Sequence, residues 1–161
     1  MENLQKIGMG GGCHWCTEAV FQVLKGVKRV EQGYLSIDSD PEKFYEGVIV
    51  YFNSTEIDLK TLIKVHLQTH QSQENHSLRT RYLSAIYYFD KTQKARIENI
   101  LDRLKEKGIK FITRAVPFGK FRASREEIRN YYRTDPERPF CKTYINPKLK
   151  IIQDHFSKHT E

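Results

Sequence analysis

The sequence predicts an α+β fold in which helices cover one face of a mainly antiparallel sheet. Short runs of branched and aromatic residues alternate with stretches of helical periodicity, and a capping residue or a glycine stands at most of the changes. No repeat, low-complexity segment or long linker interrupts them, so residues 1–161 are expected to form a single domain.

The elements follow in order. Ile7 and Met9 end a short strand, which Gly10-Gly11-Gly12 breaks. Residues 14–25 are helical, with Val20, Val23 and Leu24 on one face and Gly26 as the stop. A second strand runs from Val27 to Tyr34, and residues 35–44 are polar and irregular. Gly47 to Phe52 is a continuous apolar run, the pattern of a buried strand. Thr55 and Asp58 have capping-box spacing before a helix whose stripe is Leu59, Leu62, Ile63, His66 and Leu67. A polar loop from Gln71 to Arg81 leads to a strand over residues 83–89. Residues 91–107 form an amphipathic helix with Ile97, Ile100, Leu101 and Leu104 inward and Gly108 as its stop. A strand is expected over 109–116, and Ser124 with Glu127 starts a short helix to about Tyr132. A loop with Pro136 and Pro139 carries Cys141, and Asn146-Pro147 opens the last helix. The order β-α-β-β-α-β is that of a ferredoxin-like split β-α-β plait, a two-layer sandwich here extended by C-terminal helices.

Composition narrows the function. Hydrophobic residues make up 39% and charged residues 29%, a globular balance. No apolar stretch approaches the roughly 20 residues that span a bilayer, and the polar start Met1 to Lys6 lacks the apolar core of a signal peptide. The cytosol is the expected compartment, with no membrane partner. The net charge of +7 raises nucleic acid as a partner, but the cations are dispersed beside glutamates on helix faces, so a solvated basic surface is expected instead.

The richest segment is Gly10-Gly11-Gly12-Cys13-His14-Trp15-Cys16. Cys13 stands at a helix start, where unpaired amides and the helix dipole favour an anion. A cysteine there tends toward thiolate, the nucleophilic form. His14 adds to this when protonated, and Trp15 supplies a flat apolar wall. Three readings compete with a catalytic nucleophile. Cys13 could be a buried hydrophobe. Cys13, Cys16, Cys141 and a histidine could hold zinc, although Cys141 has no ligand partner at close spacing. Cys13-x-x-Cys16 after a strand and at a helix start could serve a general thiol–disulfide oxidoreductase.

Here the chain resembles a known family. Gly12-Cys13-His14-Trp15 is similar to the glycine-cysteine-phenylalanine-tryptophan signature of methionine sulfoxide reductase A. Gly26-Val27 followed by Gly33-Tyr34 resembles the strand after its first helix, and Glu46 to Asn53 its glutamate-bearing strand. Residues 82–87 resemble its tyrosine-arginine-serine-alanine-isoleucine-tyrosine stretch, and Arg133-Thr134-Asp135-Pro136 leading to Phe140-Cys141 resembles the segment of its resolving cysteine. The matches keep their order over residues 7 to 145.

The resemblance implies a peptide-methionine (S)-S-oxide reductase acting on free or protein-bound oxidised methionine, with no cofactor and no metal. It implies Cys13 as nucleophile, Glu46 as acid, Tyr82 as an oxygen-binding tyrosine, and His14 and Trp15 against the substrate methyl group. Cys13 would become a sulfenic acid and then a disulfide with a second cysteine, to be reduced by thioredoxin. The resemblance gives the resolving role to Cys141, while the C-x-x-C spacing offers Cys16. The chain also departs from the family. His14 replaces an aromatic, Cys16 replaces a glycine, and the stretches 34–46 and 71–81 are short. A second oxygen-binding tyrosine has no clear counterpart, Tyr45 being near in sequence. Ser77 stands where the family has an aspartate, and His70 and His76 are expected to be polar loop residues.

Overall fold

The computed structural model describes residues 4–11, 14–69 and 83–160. Cys13, Tyr82, His70, His76, Ser77 and the predicted loop at 71–81 lie outside them. The elements are β1 (Leu4–Gly10), α1 (His14–Gln22), β2 (Val27–Ile37), β3 (Asp40–Asn53), α2 (Leu59–Thr69), β4 (Ala85–Tyr88), α3 (Lys91–Glu106), β5 (Arg114–Ala123), a short turn of helix α4 (Tyr131–Thr134) and α5 (Asn146–Phe156).

The α+β class holds, but the sheet is not open. The strands run in the order β1-β3-β2-β5-β4 and close into a barrel. β1 pairs antiparallel with both β3 and β4, and β2 pairs antiparallel with β3. β5 then bridges the two edges that would remain, antiparallel to β2 and parallel to β4. The parallel pair is possible because α3 supplies the crossover between β4 and β5. The expected two-layer sandwich is therefore a closed sheet with helices packed outside it. The difference comes from the fifth strand, whose pairing the sequence pattern does not encode.

Alternation along the strands separates two cores. Val48, Val50 and Phe52 face outward with Ile7 and Met9, and meet Val20 and Phe21 of α1, Leu62 and Ile63 of α2, Ile97 and Leu101 of α3 and Ile152 of α5. Leu35, Ile49, Ala85, Tyr87 and Val116 fill the barrel interior. Space there is tight: a Cβ on Gly8 would lie 2.7 Å from Cβ of Tyr87 and 2.9 Å from a Leu35 methyl.

Several local expectations are revised. Residues 35–44 are not irregular but extend a hairpin in which Leu35 pairs with Tyr45 and Ile37 with Asp40. Asp38, Ser39, Asp40, Glu42 and Lys43 face solvent, whereas Ser36 is buried and accepts the Lys120 amide at 2.9 Å. Thr55 does not cap α2; Asp58 does, accepting from the Thr61 amide at 2.8 Å. Asp90 caps α3 through the Gln93 amide at 2.7 Å, an arrangement worth about 1 kcal/mol. The strand expected at 109–116 lies five residues later, leaving Ile109 and Ile112 exposed. The helix expected from Ser124 is broken, because Arg129 is extended and Asn130 adopts a left-handed conformation with φ of 57°. Finally, Cys141 is not in a loop. It opens a π-turn, Cys141–Ile145, that runs straight into α5.

Candidate active site

Residues 11–13 separate the end of β1 from the start of α1, whose N-terminal turn lies over the outer face of β2 and β3. Glu46 of β3 is directly opposite Tyr34 of β2, so both side chains project from the same face. Glu46 is 2% exposed, and its Oε1 accepts the backbone N–H of His14 at 3.3 Å. A buried carboxylate is costly without donors, and the start of α1 supplies one.

His14 is buried and held from two sides. Its Nδ1 lies 3.0 Å from the Gly33 carbonyl. A carbonyl only accepts, so Nδ1 carries the hydrogen. That turns Nε2 toward Glu46 Oε1, at the ion-pair distance of 3.5 Å. The ring edge of His14 also meets Tyr34, with centroids 5.2 Å apart. Tyr34 is half-buried. Sequence alone marks it only as part of the Gly33-Tyr34 strand and not as a site residue. Tyr45 projects toward the barrel interior instead, since alternation along β3 sends it opposite to Glu46.

Trp15 is part of an aromatic cluster. Tyr131 of α4 stacks on the indole at 4.3 Å and 8°, and Phe140 meets it edge-on at 5.2 Å and 84°. Phe140 in turn packs on Tyr144. Tyr131 and Phe140 are not among the residues that the sequence singles out for the site; Phe140 enters there only as the neighbour of Cys141, and the aromatic density of residues 131–144 is the signal for Tyr131. The cluster continues into an apolar pocket where Cys16 and Cys141 are buried together with Ala19 and Ile145. The Cys141 thiol donates to the Asp135 carbonyl at 3.6 Å, and burial pushes its pKa up. Among the described residues no group of three or more histidine, cysteine, aspartate or glutamate side chains could hold a metal ion.

One further carboxylate stands out. Glu18, on the next turn of α1, is 1% exposed. It accepts the backbone N–H groups of Asn130 at 2.9 Å and Tyr131 at 3.2 Å, and Gln32 Nε2 at 2.9 Å. Burial raises its pKa, while these bonds oppose the shift. Together Glu46, His14, Tyr34 and Trp15 make a compact polar and aromatic site at the start of α1. Cys13 directly precedes His14 in the chain, and Tyr82 directly precedes Leu83.

Comparison with known proteins agrees over nearly the whole chain. The model of the peptide methionine sulfoxide reductase family matches residues 5–160. The peptide methionine sulfoxide reductase MsrA of Chromobacterium violaceum is 31% identical over 171 residues, covering 96% of this chain and 97% of that protein. MsrA of Psychrobacter sp. strain PRwf-1 is 28% identical over 172 residues, covering 97% and 98%. Among solved structures, reduced Mxr1 from Saccharomyces cerevisiae superposes with a TM-score of 0.71 at 18% identity, over 88% of this chain and 91% of that one. Mxr1 in complex with Trx2 gives a TM-score of 0.59 at 19% identity, over 80% and 84%. The shared fold, the match of the family model from residue 5 to residue 160 and the identity to MsrA together place this chain in the peptide methionine sulfoxide reductase family.

Proposed function

We propose that Cys13 attacks the sulfur of methionine S-sulfoxide while Glu46 delivers a proton to the sulfoxide oxygen. Thiol-dependent reduction of methionine sulfoxide is the reaction of the family to which this chain belongs. The observation that supports these roles is the placement of Glu46. It is a buried carboxylate under the first amide of α1 and 3.5 Å from Nε2 of His14, the residue that follows Cys13 in the chain. Protonation makes the sulfoxide sulfur electrophilic. The oxygen then passes to Cys13, which becomes a sulfenic acid as methionine leaves. Tyr34, across from Glu46, and Tyr82 would hydrogen-bond the oxygen. Trp15, stacked on one face by Tyr131, would offer the methyl group its other face. His14 serves this site chiefly by orienting Glu46, since its ring nitrogens face Gly33 and Glu46.

The test is an assay on separated S and R epimers of a blocked methionine sulfoxide with dithiothreitol as reductant. Only the S epimer is expected to yield methionine. Equal turnover of both, or of neither, would overturn the assignment.

The Cys141 thiol would then attack the Cys13 sulfenic sulfur. The S–O bond breaks, the S–S bond forms, and the oxygen leaves as water with both protons. The burial of Cys16 beside Cys141 supports Cys16 as a second acceptor that shares the oxidation. We further take thioredoxin as the reductant of the disulfide, a reading supported by the fold shared with Mxr1 in its complex with Trx2. With thioredoxin alone, Cys141→Ser should lose most steady-state activity and Cys16→Ser less, while both keep the first turnover with dithiothreitol. A fully active Cys141→Ser, with a Cys13–Cys16 disulfide found by mass spectrometry, would reverse the order of the two thiols.

We also take residues 1–161 as one reductase domain of the cytosol. The span of the family model supports the domain, and no described helix is long and apolar enough to cross a membrane. The run β4-β1-β3-β2 within the barrel supports a ferredoxin-like split plait to which β5 has been added.

A further inference from the structure

A helix that packs under a C-terminal segment needs only apolar side chains on that face. α1 instead buries the Glu18 carboxylate there, one turn after Trp15. Two of its three donors are consecutive backbone amides, Asn130 and Tyr131. Two neighbouring amides converge on one carboxylate because Asn130 is left-handed, the one non-glycine residue with positive φ among those described. Gln32 braces the arrangement by donating to both Glu18 and the Ile128 carbonyl, at 2.9 and 3.0 Å. Gln22 adds a bond to the Asn130 side chain at 2.8 Å.

Beyond Asn130 the chain is held differently. Tyr131 stacks on Trp15, and Arg138 lies 4.1 Å over the Tyr131 ring. Cys141 is tied by one long thiol bond to the Asp135 carbonyl and by apolar contacts. Arg133 adds a bond to the Gln22 carbonyl at 3.3 Å, so the segment has a firm, charge-assisted end at 130–133 and a stretch with weaker side-chain ties that carries the Cys141 thiol up to the π-turn.

We propose that Glu18 is a positioning residue, the fixed pivot from which residues 134–141 swing Cys141 from its buried pocket to the Cys13 sulfenic acid. This rests on the reading in which those two cysteines form the disulfide. The pivot does not touch substrate. It keeps the Cys141 thiol at high effective concentration near Cys13 while leaving the thiol free to travel, so it acts on the second chemical step and not on the first.

The experiment separates the two steps in the full-length protein. One equivalent of methionine S-sulfoxide is added without reductant. Methionine formation and disulfide formation are each followed by rapid quench and mass spectrometry. In Glu18→Gln and Glu18→Ala, methionine formation should stay within roughly threefold of wild type, while disulfide formation slows by about tenfold or more. Asn130→Val makes the same test from an exposed position if the Glu18 variants fail to fold, since a branched side chain disfavours the left-handed conformation. Asn130→Gly keeps that conformation and both amides, and should behave as wild type. Trp15 is the sole tryptophan. Its emission should therefore shift to the red without any substrate in Glu18→Ala and Asn130→Val, as the Tyr131 stack loosens, and not in Asn130→Gly. Disulfide formation at the wild-type rate, or equal slowing of both steps, would overturn the proposal. A wild-type protein that formed no methionine would overturn the sulfoxide reading instead, and the pivot would then be judged on the Trp15 signal alone.

Discussion

Cys13→Ser is expected to leave less than about 1% of the wild-type rate of sulfoxide reduction, with the thermal midpoint unchanged. Serine is close to cysteine in shape, so nothing in the helix start is disturbed. The chemistry changes completely. A thiol at a helix N-terminus ionises readily, and its polarisable sulfur attacks another sulfur well. A serine hydroxyl in the same place stays protonated at neutral pH. It also could not carry the oxygen away as a sulfenic acid. The assay is methionine release from the S-sulfoxide with dithiothreitol, corrected for the enzyme-free rate. Residual turnover of a few per cent would mean that another thiol, Cys16 or Cys141, is the nucleophile. The same variant also tests the rival reading as a C-x-x-C disulfide exchanger. Such an enzyme would reduce disulfides in its wild-type form and leave sulfoxides untouched.

Glu46→Gln should slow sulfenic acid formation by roughly 10²- to 10⁴-fold. The amide keeps the size of the side chain. Its oxygen can still accept the His14 amide, which the carboxylate binds at 3.3 Å. That oxygen also lies where the carboxylate Oε1 faces His14 Nε2, so the nitrogen takes the place of Oε2, and no carboxylic proton remains to be passed to the sulfoxide. Stopped-flow measurement of a single turnover reads this step directly. Iodoacetamide alkylation of Cys13 should remain fast, because the thiol itself is intact. An unchanged single-turnover rate would show that Glu46 only fills the space under α1. A parallel loss of alkylation would show that it holds the helix start in place.

The positions of these two residues are legible in the sequence to different degrees. Cys13 announces itself, because glycines before a cysteine at a helix start are a local pattern with a local chemical meaning. Glu46 does not. A glutamate before an apolar strand is ordinarily an exposed end, and only the resemblance to a family singles it out. Its burial comes from α1 lying across β3, a tertiary contact. Tyr34 escapes a sequence reading for the same reason: what marks it is its partner across the sheet. Hydrophobic periodicity places α3 to within a residue, with Gly108 just past its end in a positive-φ conformation. It fails at 109–123, where apolar residues at 109 and 112 look like a strand but the pairing with β2 and β4 selects 114–123. It fails again at Ser124, whose hydroxyl makes no cap; a single helical turn starts at Glu126 and ends where Arg129 becomes extended.

The role of β5 in closing the barrel also sets a condition on synthesis. When a growing chain has emerged only as far as α3, β1 to β4 can pair, but both β2 and β4 expose an unpaired edge. Exposed edges invite pairing between chains, and domains of this size are vulnerable while incomplete. A chain arrested before residue 123 should therefore aggregate when released from the ribosome, whereas one arrested shortly after it has both edges covered. The strand that contributes no residue to the chemistry would thus govern how much of the enzyme survives its own translation.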